Sequence, residues 1–168
     1  MSAFHIRTAT PEDVPDILRI QAHCYQPDFL EAEQAFASKL QASPHTCWLV
    51  SREQQVAAYL VSIPVDRHTF PALDAADFCL SPSPELLYWH DMAVHPDSRG
   101  DGVAATLARY ALQQAKLLDF YQVGLIAVQD SSSYWHKHGF QVADSENYGL
   151  VDKLASFGAD AVFMQQTL

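Results

Sequence analysis

Apolar and polar positions along the chain follow two periods, and together they predict an alternating series of helices and strands. Apolar residues recur three or four positions apart in two long segments and one shorter one, which is typical of amphipathic helices. Thr10-Pro11-Glu12-Asp13 is a helix-start pattern, with Thr10 as the N-cap. The predicted helices are a first one that runs from Pro11 and is ended by Pro27, then Glu31 to Leu40, Val103 to Leu118, and two turns over Ser131 to His138.

Alternating or continuous apolar runs predict the strands, with a hairpin formed around the polar turn at 52–55. The strands are Phe4 to Thr8, Thr46 to Ser51, Val56 to Ile63, Glu85 to Val94, Val123 to Val128 and Ala161 to Met164. Residues 64–84 hold four prolines and no clear period, so we expect a long irregular loop there, of the kind that is often functional. The element order predicts a mixed α/β fold, and the length of 168 residues predicts a single domain over 1–168.

Composition narrows the possible partners. The formal net charge is −10 and no basic cluster is present, which argues against nucleic acid as a ligand. An acidic surface attracts cationic substrates such as amines, although it also serves solubility alone. No apolar run is long enough to cross a membrane and no secretory leader is visible. Three widely spaced cysteines fit reduced thiols, so we expect a cytoplasmic protein.

A glycine-containing turn follows the strand that ends at Val94. It reads Arg99-Gly100-Asp101-Gly102-Val103-Ala104 and opens directly into a helix. Free main-chain N–H groups at a helix start bind anions, and glycine lets a phosphate approach the backbone closely. A Rossmann loop and a P-loop are both excluded, because the third glycine and the Gly-Lys-Ser/Thr sequence are missing.

This turn resembles the acetyl-CoA signature Arg/Gln-x-x-Gly-x-Gly/Ala of the GNAT N-acetyltransferase superfamily, with Arg99, Gly102 and Ala104 at the signature positions. A second segment, from Tyr134 through Trp135 and Lys137 to Phe140, resembles the family's Phe-Tyr-x-Lys-x-Gly-Phe. The resemblance covers essentially the whole chain. It implies a mixed, mostly antiparallel sheet flanked by helices, with fourth and fifth strands that splay apart to admit coenzyme A.

The resemblance also implies acetyl-CoA as co-substrate and direct attack by an amine on its thioester. The implied contacts of acetyl-CoA are the main chain of the fourth strand, the phosphate turn and the downstream segment: Met92, Ala93, Val94, Arg99, Gly100, Asp101, Gly102, Val103, Ala104, Trp135 and Lys137.

Candidate catalytic groups lie just before Met92. Tyr88 and His90 share one face of the strand, while Asp91 lies on the opposite face if the strand is regular; a bulge would change that. His90 matches the second histidine of the pattern in the serotonin N-acetyltransferase branch, and an imidazole suits the base. The alternatives are a satisfied structural His90, and Asp91 as base or substrate anchor.

The general acid is less well defined. Trp135 occupies the position where many family members carry the acidic tyrosine, so Tyr134 is the candidate if the turn is irregular, with core packing as its alternative. Trp135 can instead pack on the pantetheine arm.

We therefore expect an N-acetyltransferase that acts on a primary amine of a small molecule or peptide. Acids of the irregular loop, together with the net charge, favour a cationic amine: Asp66, Asp74, Asp77 and Glu85. The alternatives are a degenerate acyl-CoA-binding sensor without turnover and an α/β domain unrelated to coenzyme A. A homodimer is plausible, and the histidines form no metal-binding pattern, so no metal is expected.

Overall fold

A computed structural model describes residues 3–168 and places seven strands in one sheet. The strand order is β1-β2-β3-β4-β5-β7-β6, and every neighbouring pair is antiparallel except β4 and β5. The strands are β1 (His5–Thr8), β2 (Trp48–Arg52), β3 (Gln55–Val65), β4 (Leu86–Val94), β5 (Gln122–Ala127), β6 (Gln141–Val142) and β7 (Val162–Thr167). The predicted mixed, mostly antiparallel sheet is confirmed.

The parallel pair at the centre of the sheet is short. β4 and β5 pair only from Leu87 opposite Val123 to Trp89 opposite Leu125. Beyond Trp89, β4 continues for five residues with β3 alone as its neighbour. The predicted separation of the fourth and fifth strands is therefore present, and it opens a gap in the middle of the sheet.

Helices cover both faces of the sheet. They are α1 (Val14–Cys24), α2 (Glu33–Ala42), α3 (Val103–Leu117), α4 (Ser132–Lys137) and α5 (Val151–Ser156). Helix α3 packs on one face against a core that includes Trp48, Leu87 and Trp89. Helices α1 and α2 pack on the other face, around Phe36, Tyr59 and Ala93.

Some of the predicted elements need correction. Helix α2 begins at Glu33 and not at Glu31, so Glu31 belongs to the segment before the helix. Helix α3 ends at Leu117 and not at Leu118; both residues are exposed, because α3 buries the small residues Ala108, Ala111 and Ala115 against the sheet. Strand β6 and helix α5 were not predicted. The long irregular loop is confirmed, since residues 66–85 between β3 and β4 contain no helix or strand.

Two further features concern the described residues only. Along residues 3–168, none of the helices is both long and apolar enough to cross a membrane. Over the same range, no group of three or more His, Cys, Asp or Glu side chains is arranged to hold a metal ion.

Candidate active site

A β-bulge shapes the middle of β4. Val61 pairs with Asp91 and the next residue, Ser62, pairs with Trp89, so His90 is the extra residue on β4. A bulge interrupts the alternation of side chains along a strand. His90 and Asp91 therefore both face α1 and α2: β4 is not regular here, and the bulge named as the alternative determines the orientation of Asp91.

The carboxylate of Asp91 is buried beneath two tyrosines. The Tyr25 hydroxyl lies 2.7 Å from Oδ1, and the Tyr59 hydroxyl donates to Oδ2 over 2.7 Å. Burial and the nearby Glu31 charge raise the pKa of Asp91 to about 6, and the two hydroxyl hydrogen bonds oppose that rise. Asp91 therefore changes charge closer to neutral pH than an ordinary aspartate.

The imidazole of His90 is held by a carboxylate from another part of the chain. His90 Nε2 lies 2.7 Å from Glu31 Oε1, and the exposed fractions of the two side chains are 0% and 2%. The other ring nitrogen, Nδ1, is buried without a hydrogen-bond partner. Since Glu31 accepts the proton on Nε2 when the ring is neutral, Nδ1 is left as the atom with the free lone pair.

Glu31 is itself fixed on several sides. Its Oε2 accepts the main-chain N–H of Asp74 over 2.8 Å and lies 3.7 Å from Nζ of the buried Lys39. The Gln21 side chain bonds both the main-chain N–H and the carbonyl of Glu31. Burial alone would raise the pKa of Glu31, but attraction to His90 and Lys39 and its hydrogen bonds lower that pKa to about 2. Glu31 is therefore a permanent buried anion at physiological pH.

Two main-chain N–H groups of β4 face the gap in the sheet. The N–H of His95 donates to the Ala57 carbonyl on the β3 side. Hydrogen-bonding residues alternate along an antiparallel strand, so the N–H groups of Met92 and Val94 point away from β3. β5 has already left β4 after Trp89, and the two donors open into the space between the strands.

The carbonyls of the same two residues are occupied by side chains. The Tyr25 hydroxyl lies 2.9 Å from the Met92 carbonyl oxygen. The Val94 carbonyl accepts from Arg99 Nε over 3.3 Å, and Cys24 Sγ lies 3.2 Å from it. These contacts stabilise the end of β4 on the side where β5 no longer pairs with it.

The turn after β4 has the backbone that its glycines predict. Gly100 and Gly102 have φ of +86° and +78°, and a Cβ on either one would meet nothing within 4 Å. Gly102 is the N-cap of α3, so the N–H groups of Val103 and Ala104 belong to the first turn, where a helix has no partners of its own. Main-chain donors next to the open space at the two glycines are suited to an anionic group.

Arg52 neutralises the acid within this turn. Its Nη2 lies 2.8 Å from Oδ2 of Asp101, and the guanidinium also stacks 4.6 Å from the centroid of the Phe4 ring. Asp101 thus directs its charge toward β2. Sequence reasoning did not identify Arg52, because nothing in the spacing connects it with the turn.

A cavity of about 300 Å³ collects most of the predicted site residues. Those that line it are Tyr88, His90, Asp91, Met92, Ala93, Val94, Arg99, Tyr134 and Trp135. Residues 100–104 and Lys137 are not among the lining residues. The cavity therefore brings together the end of β4 and the candidate catalytic groups, and the phosphate turn lies beyond Arg99 at its edge.

The two aromatic residues of α4 have different surroundings. Trp135 packs on Trp89 and Phe140, with ring centroids 5.9 and 5.7 Å apart. Tyr134 is 37% exposed, so core packing does not describe it. Partial burial raises the pKa of Tyr134. Of the two lining residues, Tyr134 is the one that carries a hydroxyl.

The acids of the 66–85 loop, which are expected to favour a cationic amine through their charge, do not themselves line the cavity: Asp66, Asp74, Asp77 and Glu85. Asp74, for example, accepts the main-chain N–H of Ala32 over 2.7 Å. The loop contributes Leu73 to the cavity instead. Asp74 thus holds the loop against the segment before α2, Asp66 bonds Ser81 within the loop, and Leu73 faces the site.

Glu31 is the main residue that sequence reasoning missed. No spacing links it with His90, which is 59 residues away. One signal was available in α2, where Lys39 lies between the buried positions Phe36 and Leu40 on the apolar side of the helix. A lysine in that position needs a buried acid, and Glu31 supplies it.

Comparisons with known proteins agree with this architecture. The profile of the acetyltransferase (GNAT) family matches residues 14–140. The GphF GNAT-like decarboxylase in complex with isobutyryl-CoA is 15% identical, with a TM-score of 0.77 over 97% of this chain and 98% of that one. The loading GNATL domain of CurA from Lyngbya majuscula is 11% identical, with a TM-score of 0.76 over 98% of both chains.

An N-acetyltransferase has a similar fold as well. The ribosomal-protein-S18-alanine N-acetyltransferase from Escherichia coli is 16% identical, with a TM-score of 0.72 over 98% of this chain and 94% of that one. No curated protein sequence matches the chain. At these identities the solved structures show the fold alone, and the family profile carries the assignment. The chain belongs to the acetyltransferase (GNAT) family.

Proposed function

We propose that this protein transfers an acetyl group from acetyl-CoA to a primary amine of a small molecule or peptide by direct attack. The observation that carries the proposal is the separation of β4 from β5 after Trp89. It leaves the N–H groups of Met92 and Val94 facing a cavity that His90 also lines. Donors in this position suit a thioester carbonyl and the oxyanion that forms from it.

Coenzyme A binds at the turn that follows the same strand. The first-turn N–H groups of α3 and the open backbone at Gly100 and Gly102 bind the pyrophosphate. Arg99 lies between this turn and the cavity and adds positive charge beside the pantetheine arm. Trp135 borders the arm, and Lys137, which is exposed, contacts the outer part of the cofactor.

The amine nitrogen attacks the thioester carbon, the C–S bond breaks, and coenzyme A leaves as a thiolate. His90 removes the ammonium proton through Nδ1, because Glu31 occupies Nε2. The imidazole is buried, so the proton passes through a water molecule at the cavity floor. Tyr134 is the group that returns a proton to the thiolate, and Tyr88 and Asp91 form the surroundings of His90.

Thiol release with a panel of amines, together with acetyl-CoA calorimetry, tests the proposal. His90→Gln removes the base, and we expect kcat/KM to fall by about 100-fold while the Kd of acetyl-CoA is unchanged. Wild-type rates in this variant would remove His90 from the mechanism.

A charge-reversal pair tests the cofactor site. Arg99→Glu should weaken acetyl-CoA binding by about tenfold or more, because it replaces attraction to the phosphates with repulsion. Arg109→Glu makes the same charge change at an exposed position of α3 away from the cavity. Equal affinities in the two variants would contradict the assignment of the turn.

A second candidate is an acyl-CoA-binding module without turnover. Trp135 in place of the family's tyrosine and the burial of His90 favour it. Acetyl-CoA binding without thiol release on any amine would select this candidate over the enzyme.

A further inference from the structure

The lining of the cavity includes apolar side chains from three separate segments. Phe29 comes from the segment between α1 and α2, Leu73 from the 66–85 loop, and Phe157 from the end of α5. All three line the same cavity as His90. An apolar wall assembled in this way favours an apolar ligand, because its burial releases water from both surfaces.

The carboxylates that line the cavity already have hydrogen-bond partners within the chain. Among the described lining residues these are Glu31 and Asp91. The oxygens of Asp91 accept hydrogen bonds from the hydroxyls of Tyr25 and Tyr59. Of the Glu31 oxygens, one is hydrogen-bonded to His90 and the other accepts the main-chain N–H of Asp74. No carboxylate oxygen of the lining is left without a partner to pair with a second ammonium group.

We infer that the acceptor is a primary monoamine on an apolar alkyl or aryl carbon skeleton, and not a diamine or polyamine. This inference rests on the proposed acetyltransferase function. The single amine is the nucleophile and reaches the thioester beside Met92. The remainder of the acceptor contacts Phe29, Leu73 and Phe157, where a second charge would lie buried and unpaired.

Matched amines test this directly with the full chain and acetyl-CoA. Pentylamine and 1,5-diaminopentane share a five-carbon chain and differ by one ammonium group, and 2-phenylethylamine adds an aryl group. We expect kcat/KM for pentylamine and 2-phenylethylamine to exceed that for the diamine by about tenfold or more, since burial of an unpaired charge is unfavourable. Equal or better turnover of the diamine would overturn the inference while leaving the acetyltransferase function standing.

A variant that gains activity toward the diamine distinguishes a change of specificity from a loss of folding. Leu73→Asp adds a carboxylate to the apolar wall and should raise the ratio of kcat/KM for diaminopentane over pentylamine. Leu80→Asp makes the same change in the same loop at an exposed residue outside the cavity lining, and it should leave the ratio unchanged. An unchanged ratio in the Leu73 variant would overturn the assignment of this wall to the acceptor.

The outcomes distinguish failure of the acetyltransferase function from failure of the inference about the acceptor. Acetyl-CoA binding with no thiol release on any of the three amines, or on a peptide amine, would overturn both the acetyltransferase function and this inference. Acetylation of amines without regard to their second charge would overturn the inference alone.

Discussion

Glu31 lines the cavity, but both of its carboxylate oxygens are bonded within the chain, so its role is to position His90. Glu31→Gln keeps the shape of the side chain and removes its charge. We expect kcat/KM to fall by about tenfold or more, since the glutamine amide can donate or accept and no longer selects the Nε2-protonated form of His90. Nitrogen-15 NMR of the ring should show a protonated Nε2 in the wild type and a mixture in the variant.

A double variant separates this role from stability. Glu31→Gln also leaves Lys39 buried without its acid, which should cost about 3–5 kcal/mol of unfolding free energy. Adding Lys39→Met should restore much of that stability in urea denaturation without restoring activity. Recovery of wild-type activity in the double variant would show that Glu31 serves only to neutralise Lys39.

Asp91 gives the protein an unusual dependence of stability on pH. Its pKa in the fold is about 6, above its ordinary value of 3.8, so the protonated form is favoured by folding. The stability it contributes is therefore complete below about pH 4 and is lost as the pH rises through 6. Asp91→Asn cannot ionise and should flatten this part of the profile, by up to about 1.4 kcal/mol per pH unit.

Urea unfolding at intervals from pH 4.5 to 7.5 measures this slope. The titration of Glu31 does not interfere, because its pKa is lowered to about 2 and its stabilising effect is lost only in more acidic solution. Parallel profiles for the wild type and Asp91→Asn would contradict the burial of an ionising Asp91.

At the scale of the elements, the proposed phosphate site in the turn from β4 into α3 can be tested by substituting one of its glycines. Gly102 has φ of +78°, where alanine is strained by about 1–2 kcal/mol. Gly102→Ala also places a methyl group at the proposed phosphate site, so we expect acetyl-CoA affinity to fall by about tenfold or more.

Gly149→Ala is the matched control, because Gly149 has φ of +63° and lies outside the cavity lining. Both variants should lose similar stability, and only the Gly102 variant should lose affinity in calorimetry. A similar loss of affinity in both would mean that strain, and not the phosphate site, accounts for it.

The elements differ in how far their sequences reveal them. β4 and α3 were predictable because an extended apolar run and a repeated apolar stripe each span many residues. The two residues of β6 are too few to show a period, and α5 has six residues without the Gly139-Phe140 segment that marks the end of the equally short α4. The bulge at His90 has no local signal, since it depends on how β4 pairs with β3, and the contact with Glu31 arises only when α2 packs beside the bulge.

At the scale of the whole molecule, net charge and local charge act in opposite directions on the two substrates. The chain carries a formal charge of −10, while acetyl-CoA is a polyanion that must reach the turn beside Arg99 and Arg52. An amine acceptor is a cation before it loses its proton. The long-range field should therefore attract the amine and repel the cofactor until each is within reach of its own site.

Ionic strength separates these two effects. Raising NaCl from 20 to 200 mM shortens the screening length from about 20 Å to about 7 Å. We expect the KM for the amine to rise and the KM for acetyl-CoA to fall, each by about two- to fivefold. Sucrose added to matched osmolality is the control, because it leaves the field unscreened. If both KM values move in the same direction with salt, the net charge does not steer the substrates, and the acidic surface serves solubility alone.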